Sequence, residues 1–133
     1  MKYLLDTQIY IWILQDNHLI KKDIRIILEN SNNTFFLSSE TFRKIAIKYR
    51  IGKIKFGDKF EEVISKIPKN FGIKTIQLNV KHLELFAQLS QTVHKDPADL
   101  LIISQAIKNN LTLISADGNF PYYRKVGLKL IEA

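Results

Sequence analysis

Residues 1–14 read MKYLLDTQIYIWIL and join a short apolar strand to an amphipathic helix through one polar turn. The run Lys2–Leu5 predicts a buried strand, and Gln8–Leu14 predicts a helix whose apolar residues recur at helical spacing. Asp6 lies in the turn, directly after the strand. A strand followed at once by a helix is the opening of a β–α–β unit, so this stretch favours an α/β fold with a parallel sheet.

The same alternation continues along the chain. Further strands are predicted at Thr34–Leu37, Ile73–Leu78, Leu111–Ser115 and, weakly, Gly127–Ile131. Helices are predicted at Lys21–Glu29, from Ser38 or Ser39 to Tyr49, at Lys59–Ile67, from Asn79 to about Ser90, and from Asp96 to Ile107. We therefore predict one domain over residues 1–133, a three-layer α/β/α sandwich around a central parallel sheet.

Length and composition agree with that prediction. A chain of 133 residues with 46% hydrophobic content can bury one substantial core. It contains no cysteine, which excludes disulfides and thiolate metal sites and favours the cytoplasm. The N-terminal apolar run is interrupted at residues 6–8, so we predict neither a signal peptide nor a membrane span.

The formal net charge is +7. Such a charge favours a polyanionic or acidic partner, because basic surface raises the local concentration of anions. The best candidates for a phosphate-binding rim are Lys48, Arg50, Lys53 and Lys55. An ordinary solvated basic surface explains these four side chains equally well.

Three carboxylates stand where a strand gives way to a turn or a helix begins: Asp6, Asp99 and Asp117. The carboxyl ends of parallel strands gather at one edge of a sheet, so these side chains are expected to converge there. Hard oxygen ligands without cysteine suit Mg²⁺ or Mn²⁺ and chemistry on phosphates. Each of these residues also has an ordinary structural role: Asp6 could cap a helix, Asp99 could interact favourably with a helix dipole, and Asp117 could be a turn residue. We assign the neighbouring Asp96 to capping.

Four motifs resemble those of PIN-domain ribonucleases, and more closely those of VapC toxins: MKYLLDTQIYIWIL, LSSETFRKIAIKYRIGKI, HKDPADLLIISQA and LTLISADGNF. The resemblance implies an α/β/α domain that holds Mg²⁺ or Mn²⁺ with acidic residues and cuts RNA. It also implies a homodimer inhibited by a cognate antitoxin. By this resemblance Asp6, Asp99 and Asp117 match the family's acids, and Thr7 and Ser115 match small polar positions beside them.

One position departs from the family pattern. The family's middle motif has the form WEIAIK, and Lys44 of this chain stands where that motif has glutamate. Glu40, one helical turn earlier, could supply the missing carboxylate or could form an ordinary ion pair with Lys44. A third possibility is that Lys44 itself occupies the place of the cation and holds the acidic cluster together.

Two functions follow from these observations. The first is a metal-dependent endoribonuclease in which Asp6, Asp99, Asp117 and Glu40 are the candidate catalytic residues and a metal-bound water is the nucleophile. The second is a degenerate PIN-like domain, silenced by Lys44, that binds RNA or an antitoxin. Receiver and haloacid-dehalogenase folds are less suitable, because residue 8 is glutamine and Asp6 has no neighbouring acid. The histidines His18, His82 and His94 are predicted to lie at the surface or the rim of the site.

Overall fold

The computed structural model describes residues 1–15, 18–55, 60–61, 72–89 and 96–133. Within these ranges the chain forms five strands, five α-helices and one 3₁₀ helix. The strands are β1 (Lys2–Leu5), β2 (Thr34–Ser38), β3 (Lys74–Ile76), β4 (Thr112–Ser115) and β5 (Lys129–Glu132). The helices are α1 (Thr7–Leu14), α2 (Lys22–Glu29), α3 (Ser39–Arg50), α4 (Val80–Phe86) and α5 (Pro97–Lys108), and the 3₁₀ helix is Phe120–Val126.

The sheet has the strand order β3-β2-β1-β4-β5, and all its strands are parallel. The predicted parallel sheet flanked by helices is therefore confirmed. The chain starts in the middle strand, builds one half of the sheet and then crosses to the other half. The strand order reverses between β1 and β4, and in open α/β sheets ligands bind at the carboxyl edge of this point. Asp6 directly follows β1, and Asp117 comes two residues after β4.

Successive residues of β1 face opposite sides of the sheet and enter two different cores. Tyr3 and Leu5 pack with residues of α1, α2, β2 and α3. Leu4 packs on the other side with residues of α5 and with Phe120 and its neighbours. This alternation follows from the two-residue period of a strand, and it produces the predicted three layers.

Polar caps fix where the helices at the carboxyl edge begin. The Asp6 carboxylate accepts a hydrogen bond from the Thr7 amide, and Ser38 Oγ accepts one from the Glu40 amide. Asp96 accepts from the Ala98 amide at the start of α5, with Pro97 in the first turn, as the sequence predicts. These caps place the first turns of α1, α3 and α5 beside one another at the same edge.

Two predicted elements are longer than the observed ones. β3 covers only Lys74–Ile76, and α4 ends at Phe86 rather than near Ser90. Most of the predicted helix Lys59–Ile67 lies outside the described residues, as does His94. Among the described helices, none has the length and apolar character needed to cross a membrane.

Candidate functional site

Asp6 is buried at the carboxyl end of β1, where two donors hold its carboxylate. Oδ1 accepts from the Thr7 amide at 2.8 Å, and Oδ2 accepts from Ser115 Oγ at 2.7 Å. Burial raises the pKa of Asp6 to about 6; the hydrogen bond from Ser115 opposes this rise, and the charge of Asp99 adds to it. Asp6 and Asp99 are thus close enough for the charge of one to affect the other.

Asp99 lies in the first turn of α5 and is paired with Lys44 from α3. Lys44 Nζ lies 2.7 Å from Asp99 Oδ1 and 3.1 Å from Asp96 Oδ2. Burial disfavours the charged form of this lysine, but its bonds to Asp99 and Asp96 outweigh that effect and raise its pKa. Burial likewise opposes the ionised form of Asp96, but the ammonium group of Lys44 outweighs this effect, and the pKa of Asp96 is lowered. Asp96 is therefore both a helix cap and an ion-pair partner, and the sequence analysis found only the first role.

Asp6, Asp99 and Asp117 all line one cleft of about 480 Å³, together with Gln8, Trp12 and the two lysines Lys44 and Lys48. Asp117 is partly exposed at its rim. Its amide donates to Ser115 Oγ at 3.0 Å, and its Oδ1 accepts from the Asn119 amide at 2.9 Å. Ser115 thus connects the backbone at Asp117 to the carboxylate of Asp6, so the turn after β4 and the end of β1 have a fixed relation.

Glu40 is not among the residues that line the cleft. Arg43 binds both of its carboxylate oxygens, at 2.9 Å from Nε and 3.1 Å from Nη2. The predicted Glu40–Lys44 ion pair is therefore wrong. A planar guanidinium group matches a carboxylate in two parallel hydrogen bonds, whereas Lys44 reaches the buried Asp99 on another helix. The third possibility for Lys44, a cation within the acidic cluster, is the one observed.

The carboxylates of the cleft determine whether a divalent cation fits there. In the described part of the chain, no group of three or more His, Cys, Asp and Glu side chains could hold one ion. Lys44 binds one oxygen of Asp99, so that oxygen is not open to a metal ion while the ion pair is formed. The pair Asp6 and Asp99 still fits hydrated Mg²⁺ or Mn²⁺, since Mg²⁺ keeps several waters and is bound through one or two carboxylates.

Other residues singled out in the sequence are located as follows. Thr7 is buried, and its hydroxyl lies 3.2 Å from that of Thr41, so it connects α1 to α3. Tyr10 is fully buried, packs against Phe42 and belongs to the core. His82 is also buried, which corrects its predicted surface position. Its Nδ1 accepts from the Asn79 amide and its Nε2 contacts Asn109 Oδ1 at 2.7 Å, so it joins α4 to the end of α5.

The fold, with carboxylates at the switch point of its sheet, defines a class of α/β domains with an acidic cleft. The chain belongs to the PIN domain family, whose model matches residues 3–126. Members of this family are generally nucleases, and such nucleases typically use divalent metal ions. No curated protein matches the chain.

Solved structures with the same fold include three VapBC proteins. VapBC2 from Rickettsia felis, bound to a promoter DNA fragment, and VapBC-1 from nontypeable Haemophilus influenzae each match with a TM-score of 0.67 at 23% identity, over 99% of this chain and 98% of theirs. VapBC-5 from Mycobacterium tuberculosis, of the VapBC family of toxin–antitoxin systems, matches with a TM-score of 0.66 at 13% identity, also over 99% and 98%. At these identities the matches establish the fold.

Proposed function

We propose that this chain is a metal-dependent endoribonuclease that hydrolyses RNA phosphodiester bonds and serves as the toxin of a toxin–antitoxin pair. The observation that carries the proposal is the shared cleft of Asp6, Asp99 and Asp117 at the switch point of a PIN-domain sheet. Two of these carboxylates, Asp6 and Asp99, are buried, and the charge of Asp99 adds to the rise in the pKa of Asp6. Buried carboxylates placed together at a cost in stability are typical of a functional site.

Asp6 and Asp99 would hold the ion, and Asp117 would act from the rim. A bound Mg²⁺ or Mn²⁺ supplies a water of lowered pKa and stabilises the negative charge that develops on the phosphate. Glu40 has no ligand role in this proposal, because Arg43 binds both of its oxygens.

The remaining work is done by residues of the chain itself. Ser115 Oγ and the Thr7 amide orient the two oxygens of Asp6, which fixes the direction of its free lone pairs. Ser115 Oγ also accepts a hydrogen bond from the Asp117 amide, which fixes the turn that carries Asp117 relative to Asp6. Lys48 lines the cleft and supplies positive charge for the approaching phosphate.

The partner assignment rests on similarity to VapBC structures. VapBC-5 belongs to a toxin–antitoxin family, and the fold matches extend over nearly the whole of both chains. An antitoxin that covers the cleft and a homodimer of this chain are the expected assembly, and the cytoplasm, which holds RNA, is the expected location.

The ion pair of Lys44 with Asp99 favours a second candidate function. With an ammonium group 2.7 Å from Asp99, part of the acidic charge is balanced without any metal ion. In this alternative the domain retains its fold and binds RNA or an antitoxin but does not cleave.

One cleavage experiment distinguishes the two functions. The wild type, Asp6→Asn and Lys44→Glu are incubated with a mixed single-stranded RNA and MnCl₂, with Glu84→Gln on the exposed face of α4 as the control for a lost carboxylate. Cleavage by the wild type and by Glu84→Gln that vanishes in Asp6→Asn supports the nuclease. An inactive wild type beside an active Lys44→Glu variant would establish a silenced site and refute the first proposal.

A further inference from the structure

A second groove begins where the acidic cleft ends. It has a volume of about 370 Å³ and shares Gln8 and Lys48 with the cleft. From there it extends along α1 to Gln15 and, on the side of α3, to Lys53. The cleft and this outer groove therefore adjoin at Gln8 and Lys48, and we call the two together the channel.

The turn that ends α3 brings Lys48 and Lys53 together. The Lys53 amide donates to the Lys48 carbonyl at 2.9 Å, and the Gly52 amide donates to the Tyr49 carbonyl at 3.1 Å. Gly52 has φ +78°, so these bonds form a Schellman motif with Ile51 as the C-cap. The side chains at the positions of Lys48 and Lys53 usually make an apolar contact in this motif.

Here both positions carry lysine, and both lysines line the groove. Within the described ranges of the chain, neither lysine forms an ion pair, and no lining residue of the outer groove is acidic. Two positive charges that line one groove attract an anion, which can interact favourably with both. Phosphate is the anion that a strand leaving the acidic cleft would present.

The rest of the groove suits the other parts of a nucleotide. Ile11 and Ile54 line the groove and, being largely buried, offer it a small apolar area, and the amides of Gln8 and Gln15 supply donors and acceptors. A single strand with exposed bases needs both kinds of surface, since its bases are apolar on their faces and polar on their edges.

We propose that the outer groove is a subsite for single-stranded RNA, in which Lys48 and Lys53 bind a backbone phosphate next to the one in the acidic cleft. This inference rests on the proposed function, because it takes the cleft to be where the scissile phosphate lies. It also divides the four basic residues of the predicted rim into two pairs. Lys48 and Lys53 line the channel, and Arg50 and Lys55 do not.

The test measures RNA binding without cleavage. A fluorescein-labelled oligouridine is titrated with protein in EDTA, and its anisotropy gives Kd at several salt concentrations. The principal variant is Lys53→Gln, because Lys53 lines only the outer groove; the matched control is Lys55→Gln, an exposed lysine two residues further on. Lys53→Arg tests whether positive charge alone restores binding, and circular dichroism verifies that each variant is folded.

We expect Lys53→Gln to raise Kd about five-fold and to reduce the slope of log K against log salt by about 0.7, the value for one phosphate contact on a single strand. Lys48→Gln combined with Lys53→Gln should reduce that slope by about 1.4. Lys55→Gln and Lys53→Arg should stay close to the wild type. Equal losses in Lys53→Gln and Lys55→Gln, or no RNA binding by the wild type, would overturn the subsite.

The two proposals fail in different ways. A wild type that binds RNA through Lys53 but does not cleave it with MnCl₂ retains the subsite and loses the nuclease. A wild type that cleaves RNA with the same KM as Lys53→Gln retains the nuclease and loses the subsite.

Discussion

Replacing Lys44 by methionine removes the positive charge from the acidic cleft while keeping the length of the side chain. The lysine side chain is 19% exposed and that of Asp99 only 9%, so this ion pair is largely shielded from water. Breaking a buried pair costs about 3 to 5 kcal/mol, because the remaining charge is left without compensation. The Asp96 side chain is 41% exposed, so its bond to Lys44 adds little to this cost. Water has partial access to Lys44, which reduces the expected loss of stability to about 2 to 4 kcal/mol.

The variant should therefore unfold at a clearly lower temperature. At roughly 3 to 5 °C per kcal/mol for a chain of this size, the expected fall in Tm is about 10 °C in EDTA. The control is Arg43→Met. Arg43 directly precedes Lys44 on α3, and this change breaks its ion pair with Glu40. The Arg43 side chain is 54% exposed, whereas that of Glu40 is only 11% exposed and would lose its partner, so this change should cost about 1 to 2 kcal/mol, less than Lys44→Met.

A divalent ion should reverse the loss. Once Lys44 is gone, Asp6 and Asp99 offer a cation two uncompensated carboxylates, and a ligand at one hundred times its Kd stabilises the folded state by about 2.7 kcal/mol. We expect MnCl₂ to raise the Tm of Lys44→Met more than that of the wild type or of Arg43→Met, as measured by circular dichroism. Equal Tm losses in the two methionine variants would refute the cost assigned to breaking the buried ion pair. Equal stabilisation of all three proteins by MnCl₂ would refute competition between Lys44 and the ion.

Two further predictions concern stability. The folded pKa of Asp6, about 6, lies above its ordinary value of 3.8, so the folded state holds this proton more tightly than the unfolded state. The contribution of Asp6 to stability is thus highest below about pH 4 and falls by about 3 kcal/mol as the pH rises through 6. Urea unfolding in EDTA should show Asp6→Asn more stable than the wild type at about pH 8 and equal to it at about pH 4; no difference at the higher pH would contradict this. His82→Ala should lower the free energy of unfolding by about 2 kcal/mol, because it removes half of a capping box and a partly buried hydrogen bond to Asn109. It should leave Mn²⁺ binding unchanged in calorimetry.

The elements that the sequence predicts well are those whose signals are local. The spacing of apolar residues predicted the strands and helices to within a few residues. Capping residues predicted where α3 and α5 begin. The positions of Asp6 and Asp117 were also predictable, because a residue that follows a parallel strand lies at the carboxyl edge of the sheet. These predictions need only short stretches of chain and one rule of topology.

The pairing of charges within the site was not predictable. Glu40 has Arg43 three residues away and Lys44 four residues away, and both spacings bring side chains together on a helix. The choice depends on Asp99, which is 55 residues from Lys44 in sequence and approaches it only after α3 and α5 have packed. For His82 a local signal did exist, since Asn79 and His82 have the spacing of a capping box, and that spacing predicts a role in helix capping rather than a place at the surface.

The charge of the cleft explains why position 44 decides between the two candidate functions. Among its lining residues, three carboxylates against two ammonium groups leave a formal charge of −1, whereas Lys44→Glu would give four carboxylates against one ammonium group, a charge of −3. A more negative cleft attracts a divalent ion more strongly, and it also repels RNA phosphates more strongly when no ion is bound. Lys44 therefore moves the balance away from capture of a metal ion and towards binding of a polyanion. If the nuclease proposal is correct, the wild type must bind RNA well in EDTA and require a high concentration of Mn²⁺ for cleavage, and Lys44→Glu must change both properties in the opposite direction.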